Sequence, residues 1–338
     1  MDALSQVLAA VRIRGAVFFE LECRSPWGFR VPPPEVSAHF LPPGPERIVQ
    51  FHWVTEGEAA VALADGGRLD ATAGDVVVLP RGDAHQVSHG APAHLLDAAA
   101  GPRLHADGRL RPLRIGAVDR PDGPGGPGAS NRPVTRIVCG YLRCDAQADA
   151  LFLRGLPPLF KVALSDDAAA AWLQGAVRQL GGADGPVGPG AAALSARVAE
   201  TLAVATLRRH AQTLHDGSGV WLAGASDRVV GPALSLLHGN PGHAWTLDEL
   251  AARTGSSRSV LGQRFVRLIG EAPMRYLRRW RMQCAARLLE DTAQPIARIA
   301  ETVGYASEAA FHRAFDRSLG QAPAAYRRQR RAAKVSSE

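Results

Sequence analysis

Two polar side chains stand at equivalent places in two copies of one pattern: Gln263 in the first copy and Arg313 in the second. Gln can make a bidentate pair with an adenine edge, and Arg with a guanine edge. Around them, Arg258, Ser259, Gly262 and Arg267 fall on the outward face of the first copy, and Glu308, Ala309, His312 and Asp316 on that of the second. Arg258, Arg264 and Arg267 carry the charge needed to hold phosphate, which orients a protein on a duplex without reading bases. The candidate DNA contacts are therefore Arg258, Ser259, Gln263, Arg264, Arg267, Glu308, His312 and Arg313. A second group, His39, His52, Trp53 and His85, lies in the N-terminal half. These residues suit the lining of a small-molecule site, and His is also the commonest metal ligand.

The copies are residues 247–276 and 296–326. Ala251 and Gly255 match Ala300 and Gly304 at an offset of 49. Leu261, Phe265, Gly270, Pro273 and Tyr276 match Phe311, Phe315, Gly320, Pro323 and Tyr326 at an offset of 50. Each copy reads as a short helix stopped by a glycine, a turn with N-capping serines (Ser256 and Ser257; Ser307), and a second helix with one apolar face. That face carries Leu261, Phe265 and Leu268 in the first copy, and Phe311, Phe315 and Leu319 in the second. Two helices joined by such a turn form a helix-turn-helix, whose second helix enters the major groove. The units span 247–270 and 296–320. A helix over 273–291 joins them, with Met274, Leu277, Trp280 or Arg281, Cys284 and Leu288 along one face. Held by one helix, the two reading helices of a single chain can touch successive major grooves, and the site need not be a palindrome.

The 338 residues suit two domains. Short strands at 48–54, 59–63, 75–79 and 135–142, punctuated by Gly, Pro and Asp, predict a β-sandwich or barrel. The Gly/Pro-rich segment 121–133 reads as a loop within it. Helices follow at 166–181 and 191–210. In the second, Leu194, Val198, Thr201, Leu202 and Ala205 form a stripe that either packs on the barrel or pairs with its copy in a homodimer. The expected fold is α+β: a sheet domain over 1–215 for effector sensing and dimerisation, a linker over 216–226, and an all-α double helix-turn-helix over 227–338.

The charge is divided. From Asp227 onward there are 18 Arg and Lys against 10 Asp and Glu, while the first 226 residues hold 21 against 22. The whole positive excess sits in the last third, as a polyanion-binding segment requires. A binder blind to sequence would need only this charge, not a repeated reading helix. No run of ~18 apolar residues is present, so no membrane span is expected. Nor does the N-terminus read as a signal peptide, which points to the cytoplasm. Cys23, Cys139, Cys144 and Cys284 show neither a disulfide framework nor a CxxC pair. No Ser-His-Asp set, phosphate-binding glycine loop or paired carboxylate site is readable, so no enzyme and no cofactor are expected.

Over about residues 227–330 the chain resembles the AraC/XylS family of bacterial transcription regulators. The resemblance rests on the spacing of Trp245, Leu250, Ala251, Gly255, Leu261, Phe265, Pro273, Tyr276, Arg281, Ala286 and Leu288, then Ile296, Ile299, Ala300, Gly304, Tyr305, Phe311, Arg313, Phe315, Gly320, Pro323, Tyr326 and Arg327. It implies sequence-specific binding of double-stranded DNA and recruitment of RNA polymerase. Gly262 and Ala309 depart from the larger polar residues usual there. The stretch Gly74 to His85 resembles the second cupin motif, with His89 in place of the usual Asn. The first motif is incomplete: His52 is present, but Val54 replaces its partner His. The resemblance implies a barrel holding a small-molecule effector rather than a metal, against the alternative of a metal-dependent cupin enzyme fused to a DNA-binding domain. Cys139 or Cys144 is the further ligand that a metal site could draw on.

Overall fold

The computed structural model describes residues 2, 5–6, 13–37, 47–92, 94–97, 113–115, 133–144, 153–165, 168–181, 190–213 and 221–335. His39 and the predicted loop, except Pro133, lie outside them. The chain divides into two compact units: Val11–Thr213, and Leu214–Glu338 together with Met1–Ala10.

The first unit is built from two sheets. Strands β1 (Ile13–Arg24), β3 (Arg47–Glu56), β6 (Asp75–Leu79), β9 (Leu113–Ile115), β10 (Val134–Cys144) and β11 (Phe160–Ala163) form one, in the order β11-β6-β3-β10-β1-β9. Strands β2 (Trp27–Val31), β4 (Glu58–Leu63), β5 (Arg68–Thr72), β7 (His85–His89) and β8 (Leu96–Asp97) form the other, in the order β5-β4-β7-β2-β8. A short helix α1 (Pro34–Ser37) follows β2. The pairing is antiparallel except where β9 joins β1 and β8 joins β2. The predicted strands are β3, β4, β6 and β10. Every residue of β6 is buried, as are seven consecutive residues of β3. The first sheet is covered on both faces, so these strands read as near-continuous apolar runs instead of alternating.

Helices α2 (Ala168–Gly181) and α3 (Ala191–Thr213) supply the outer cover. The predicted stripe on α3 splits. Val198 and Leu202 are buried, and Leu202 faces Val49, Phe51, Val76 and Val78 across a small apolar cavity of about 40 Å³. Leu194 and Thr201 are exposed, as are Val204 on α3 and Trp172 on α2, the last at 60%.

Among its described residues the second unit is all helical: α4 (Trp221–Ser226), α5 (Val230–Gly239), α6 (Leu247–Arg253), α7 (Arg258–Ile269), α8 (Pro273–Asp291), α9 (Ile296–Thr302), α10 (Glu308–Leu319) and α11 (Pro323–Val335). Helix α4 occupies the segment expected to be linker. Its glycine is a packing device, not a breaker: a Cβ on Gly224 would lie 2.4 Å from Ile269 Cδ1. Trp221 is buried, and its indole N–H donates to the Tyr276 hydroxyl at 2.9 Å. That hydroxyl also lies 2.7 Å from His238 Nε2, so α4, α5 and α8 meet at one buried polar node. A second core follows along α8, where Met282, Ala285 and Leu289 pack with Ile299, Phe311, Phe315 and Tyr326. The N-terminal residues grouped with this unit were expected in the sheet domain. Gln6 Nε2 is 3.4 Å from where a Cβ on Gly239 would stand.

If α4 belongs to the helical unit, a fragment of residues 214–338 melts cooperatively. One that begins at residue 227 loses a buried Trp and is less stable by about 3–5 kcal/mol. Equal chemical-denaturation midpoints would assign α4 to a linker.

Candidate nucleic-acid interface and the buried histidine pair

Each helix-turn-helix is fixed locally by its caps. Thr246 Oγ1 accepts from Glu249 N–H at 3.1 Å and starts α6. Ser257 Oγ accepts from Val260 N–H and Ser307 Oγ from Ala310 N–H, each at 3.2 Å, and these start α7 and α10. Gly255 and Gly304 take positive φ, at 61° and 82°, where the chain leaves the first helix. Residues 254–257 bridge α6 to α7, and residues 303–307 bridge α9 to α10. The extra residue in the second turn accounts for the change in repeat offset.

Helix α7 buries Leu261, Phe265 and Leu268, while α10 buries Phe311 and Phe315. Leu319, expected in the core, is 37% exposed because α10 ends there and Gly320 turns the chain away. The opposite faces are open. Arg258, Ser259, Gln263 and Arg267 are exposed on α7, as are Glu308, Ala309, Arg313 and Asp316 on α10. His312 is half-buried and lies 3.5 Å from Glu308. Arg258 pairs with Asp248 at 3.4 Å, but both are exposed, so the pair gives way to a phosphate at little cost. A Cβ on Gly262 would meet nothing within 4 Å, so no packing demands glycine there.

Arg264 stands apart from the other seven. Its guanidinium turns inward onto the Asp227 carboxylate, which is almost fully buried. Asp227 Oδ1 accepts from the N–H groups of Val229 and Val230 at 2.9 Å each, at the start of α5. Burial alone would raise this carboxyl's pKa, but the Arg264 hydrogen bond and the two N–H groups hold it below the ordinary value. Arg264 thus ties the reading helix α7 to α5. The separation of 37 positions between the partners hides the pair from any local pattern.

In the sheet unit, His52 on β3 meets His85 on β7, with 2.6 Å between their Nε2 atoms. His52 Nδ1 is 2.9 Å from Cys139 Sγ, and His85 Nδ1 is 2.7 Å from the Asp83 carbonyl. A carbonyl only accepts, so His85 Nδ1 carries its proton and its Nε2 is bare. His52 Nε2–H therefore donates to His85, and His52 Nδ1 accepts from the Cys139 thiol. This chain is neutral and one-directional. Burial, with His85 nearby, holds His52 well below 6.5; burial holds His85 down to about 4, against the Asp83 hydrogen bond; burial keeps Cys139 a thiol.

Both ring nitrogens of His52 are committed to different neighbours. Among the described residues no three His, Cys, Asp or Glu side chains form a metal-holding group. Trp53, next along β3, points to the opposite face of the sheet from His52 and cannot line the same site. Cys144 also belongs to the opposite face, where it borders the small cavity beneath α3. A larger cavity of about 420 Å³ opens beside His85, bordered by Arg30, Pro33, Leu63, Gln86 and Asp97. Of the three described effector candidates, only His85 borders it.

Residues 2–212 match the family described as Cupin, and residues 250–329 the family described as Helix-turn-helix domain. A putative AraC-like transcription regulator of Streptomyces lividans is 30% identical over 331 residues, covering 97% of this chain and 98% of that one. Another from Streptomyces antibioticus is 39% identical over 198 residues, or 57% of this chain and 63% of that one. Among solved structures, the DNA-binding domain of AdpA in complex with a target DNA is 34% identical, covers 32% of this chain and 98% of that one, and has a TM-score of 0.31. A cupin-type sheet domain carried with a double helix-turn-helix defines a two-domain DNA-binding regulator. The chain belongs to the AraC-type family of transcription regulators. No helix among the described residues is long and apolar enough to cross a membrane.

Two outcomes follow from these buried groups. Asp227→Ala leaves Arg264 without its carboxylate and weakens DNA binding although Asp227 lies off the reading face; the melting temperature falls with it. An unchanged melting curve would mean that the pair holds nothing. For the histidine pair, the folded pKa values lie below the unfolded value of ~6.5. The unfolded chain therefore takes up protons that the folded chain refuses, and stability falls as pH drops from about 6.5 to 4. Urea unfolding at pH 7 and pH 5 measures it, and a His52→Gln, His85→Gln double variant should show a much flatter dependence.

Proposed function

We propose that this regulator reads an asymmetric DNA site with both α7 and α10 in successive major grooves. Gln263 and Arg313 make the sequence-reading contacts, and Arg258 and Arg267 hold phosphate. The observation that carries this reading is the matched exposure of Gln263 and Arg313 on two capped helices whose opposite faces are buried. Ser259, Glu308 and His312 flank them and adjust the base contacts.

The sheet domain is the sensor in this reading. Its 420 Å³ cavity has the size of a small-molecule site and mixed polar and apolar walls. The effector therefore sits beside His85 and not between the two histidines, whose hydrogen bonds are already used. The exposed Trp172, Leu194 and Val204 supply the face through which two copies pair. RNA polymerase is the protein partner, and the bacterial cytoplasm the place of action. The protein acts by binding and has no catalytic role.

Footprinting the full chain on DNA upstream of its own gene should protect about two helical turns at physiological salt. On that site, Gln263→Ala and Arg313→Ala each lose ~1–3 kcal/mol relative to random DNA. Equal weakening on both DNAs would reduce these residues to phosphate contacts.

A further inference from the structure

The two helix-turn-helix units have separate cores on successive stretches of α8, so something must set their mutual orientation. The structure shows a direct contact between their backbones. A Cβ on Gly242 would lie 2.6 Å from the Thr302 carbonyl oxygen, and one on Gly304 2.6 Å from the Gly242 carbonyl oxygen. Only glycines allow the loop before α6 and the turn after α9 to come so close. Arg281, from the middle of α8, holds the pair together. Its Nε donates to the Pro241 carbonyl at 2.7 Å, one terminal nitrogen to the His243 carbonyl at 2.8 Å, and the other to the Gly304 carbonyl at 3.3 Å. The planar guanidinium supplies donors in fixed directions, which Lys cannot copy.

The loop it grips is itself braced. His243 Nε2 lies 3.0 Å from both carboxylate oxygens of Glu249, Trp245 Nε1 donates to the Asn240 carbonyl at 2.9 Å, and Arg253 stacks over the Trp245 ring. Glu249 and Arg253 belong to α6, which packs directly on α7. Gly304 closes α9, which packs on α10. Arg281 therefore connects the scaffold of one reading helix to the scaffold of the other.

We propose that Arg281 is the positioning residue that sets the spacing and phasing of the two reading helices, so that the protein discriminates between sites by the distance between their two half-sites. This rests on both helices engaging one duplex. One inserted base pair turns the second half-site by about 35° and shifts it by about 3.4 Å. A clamped pair cannot follow that movement, whereas a pair joined by α8 alone can partly do so.

The test uses the full chain and its footprinted operator, together with versions carrying one base pair inserted or deleted between the protected half-sites. Fluorescence anisotropy gives the affinity for each. Wild type should lose about tenfold or more on either altered spacing, the scale of a lost base contact. Arg281→Ala should bind the native operator more weakly yet show a spacing ratio close to one, and Arg281→Lys an intermediate ratio. A merely structural role would weaken all three operators alike and leave the ratio unchanged, which would overturn the proposal. If Arg281→Ala does not fold, Gly242→Ala carries the test. Its Cβ pushes against the Thr302 carbonyl, so the preferred spacing should change; an unchanged preference would overturn the proposal. A wild type that protects only one half-site would overturn the two-helix reading and this inference with it. A wild type that protects both but shows no spacing preference would overturn this inference alone.

Discussion

The DNA-binding unit depends on how a short helix divides its surface. Helices α7 and α10 have twelve residues each, too few to be stable in water by themselves. Each persists because an aromatic face is completely buried, through Phe265 in one and Phe311 with Phe315 in the other. At 3.6 residues per turn, burying that face pushes Gln263 and Arg313 outward. Stability and the proposed readout therefore share the same helix without sharing a side chain. Serine caps and glycine stops complete the arrangement, since they satisfy the helix ends without drawing on the exposed face.

The sheet unit solves a different problem. It must bury polar side chains between two sheets without leaving them charged. His52, His85 and Cys139 do so by forming one hydrogen-bond chain with a single direction, closed on the Asp83 carbonyl. Each donor finds an acceptor, so no proton need be gained or lost. A metal would need those same lone pairs. The filled interior leaves the roomier space beside His85, outside the pair.

Local features of this architecture were legible in the sequence, and contacts across distance were not. The repeat, its serine caps, its glycine stops and the aromatic positions follow from spacings of three to five residues. Strands β3, β4, β6 and β10 follow from apolar runs between turn residues. The inward turn of Arg264 could not be read, because a helical wheel places it near the exposed face and its partner lies 37 residues away. An Asp two and three residues before the N–H groups it caps was the available clue. Helix α4 was missed because small residues and glycine look like a linker until Ile269 is seen to need that room. Leu319 was misplaced because apolar periodicity does not say where a helix runs past its core. Trp53 was grouped with His52 although alternation along a strand separates neighbouring side chains.

The charge count also changes meaning once partners are known. Arg264, Arg279 and Arg330 face carboxylates within their own unit, so their charges are largely cancelled at a distance. Arg281, Arg327 and Arg331 bond to backbone carbonyls instead. A carbonyl is a dipole with no net charge, so these arginines do structural work and still add to the positive field that draws in DNA. They need not touch a phosphate to do so. Attraction from afar thus draws on arginines that touch no phosphate. Salt dependence of binding reports contacts made, not net charge. It should therefore reflect the arginines proposed to hold phosphate, Arg258 and Arg267, more closely than the total in the sequence.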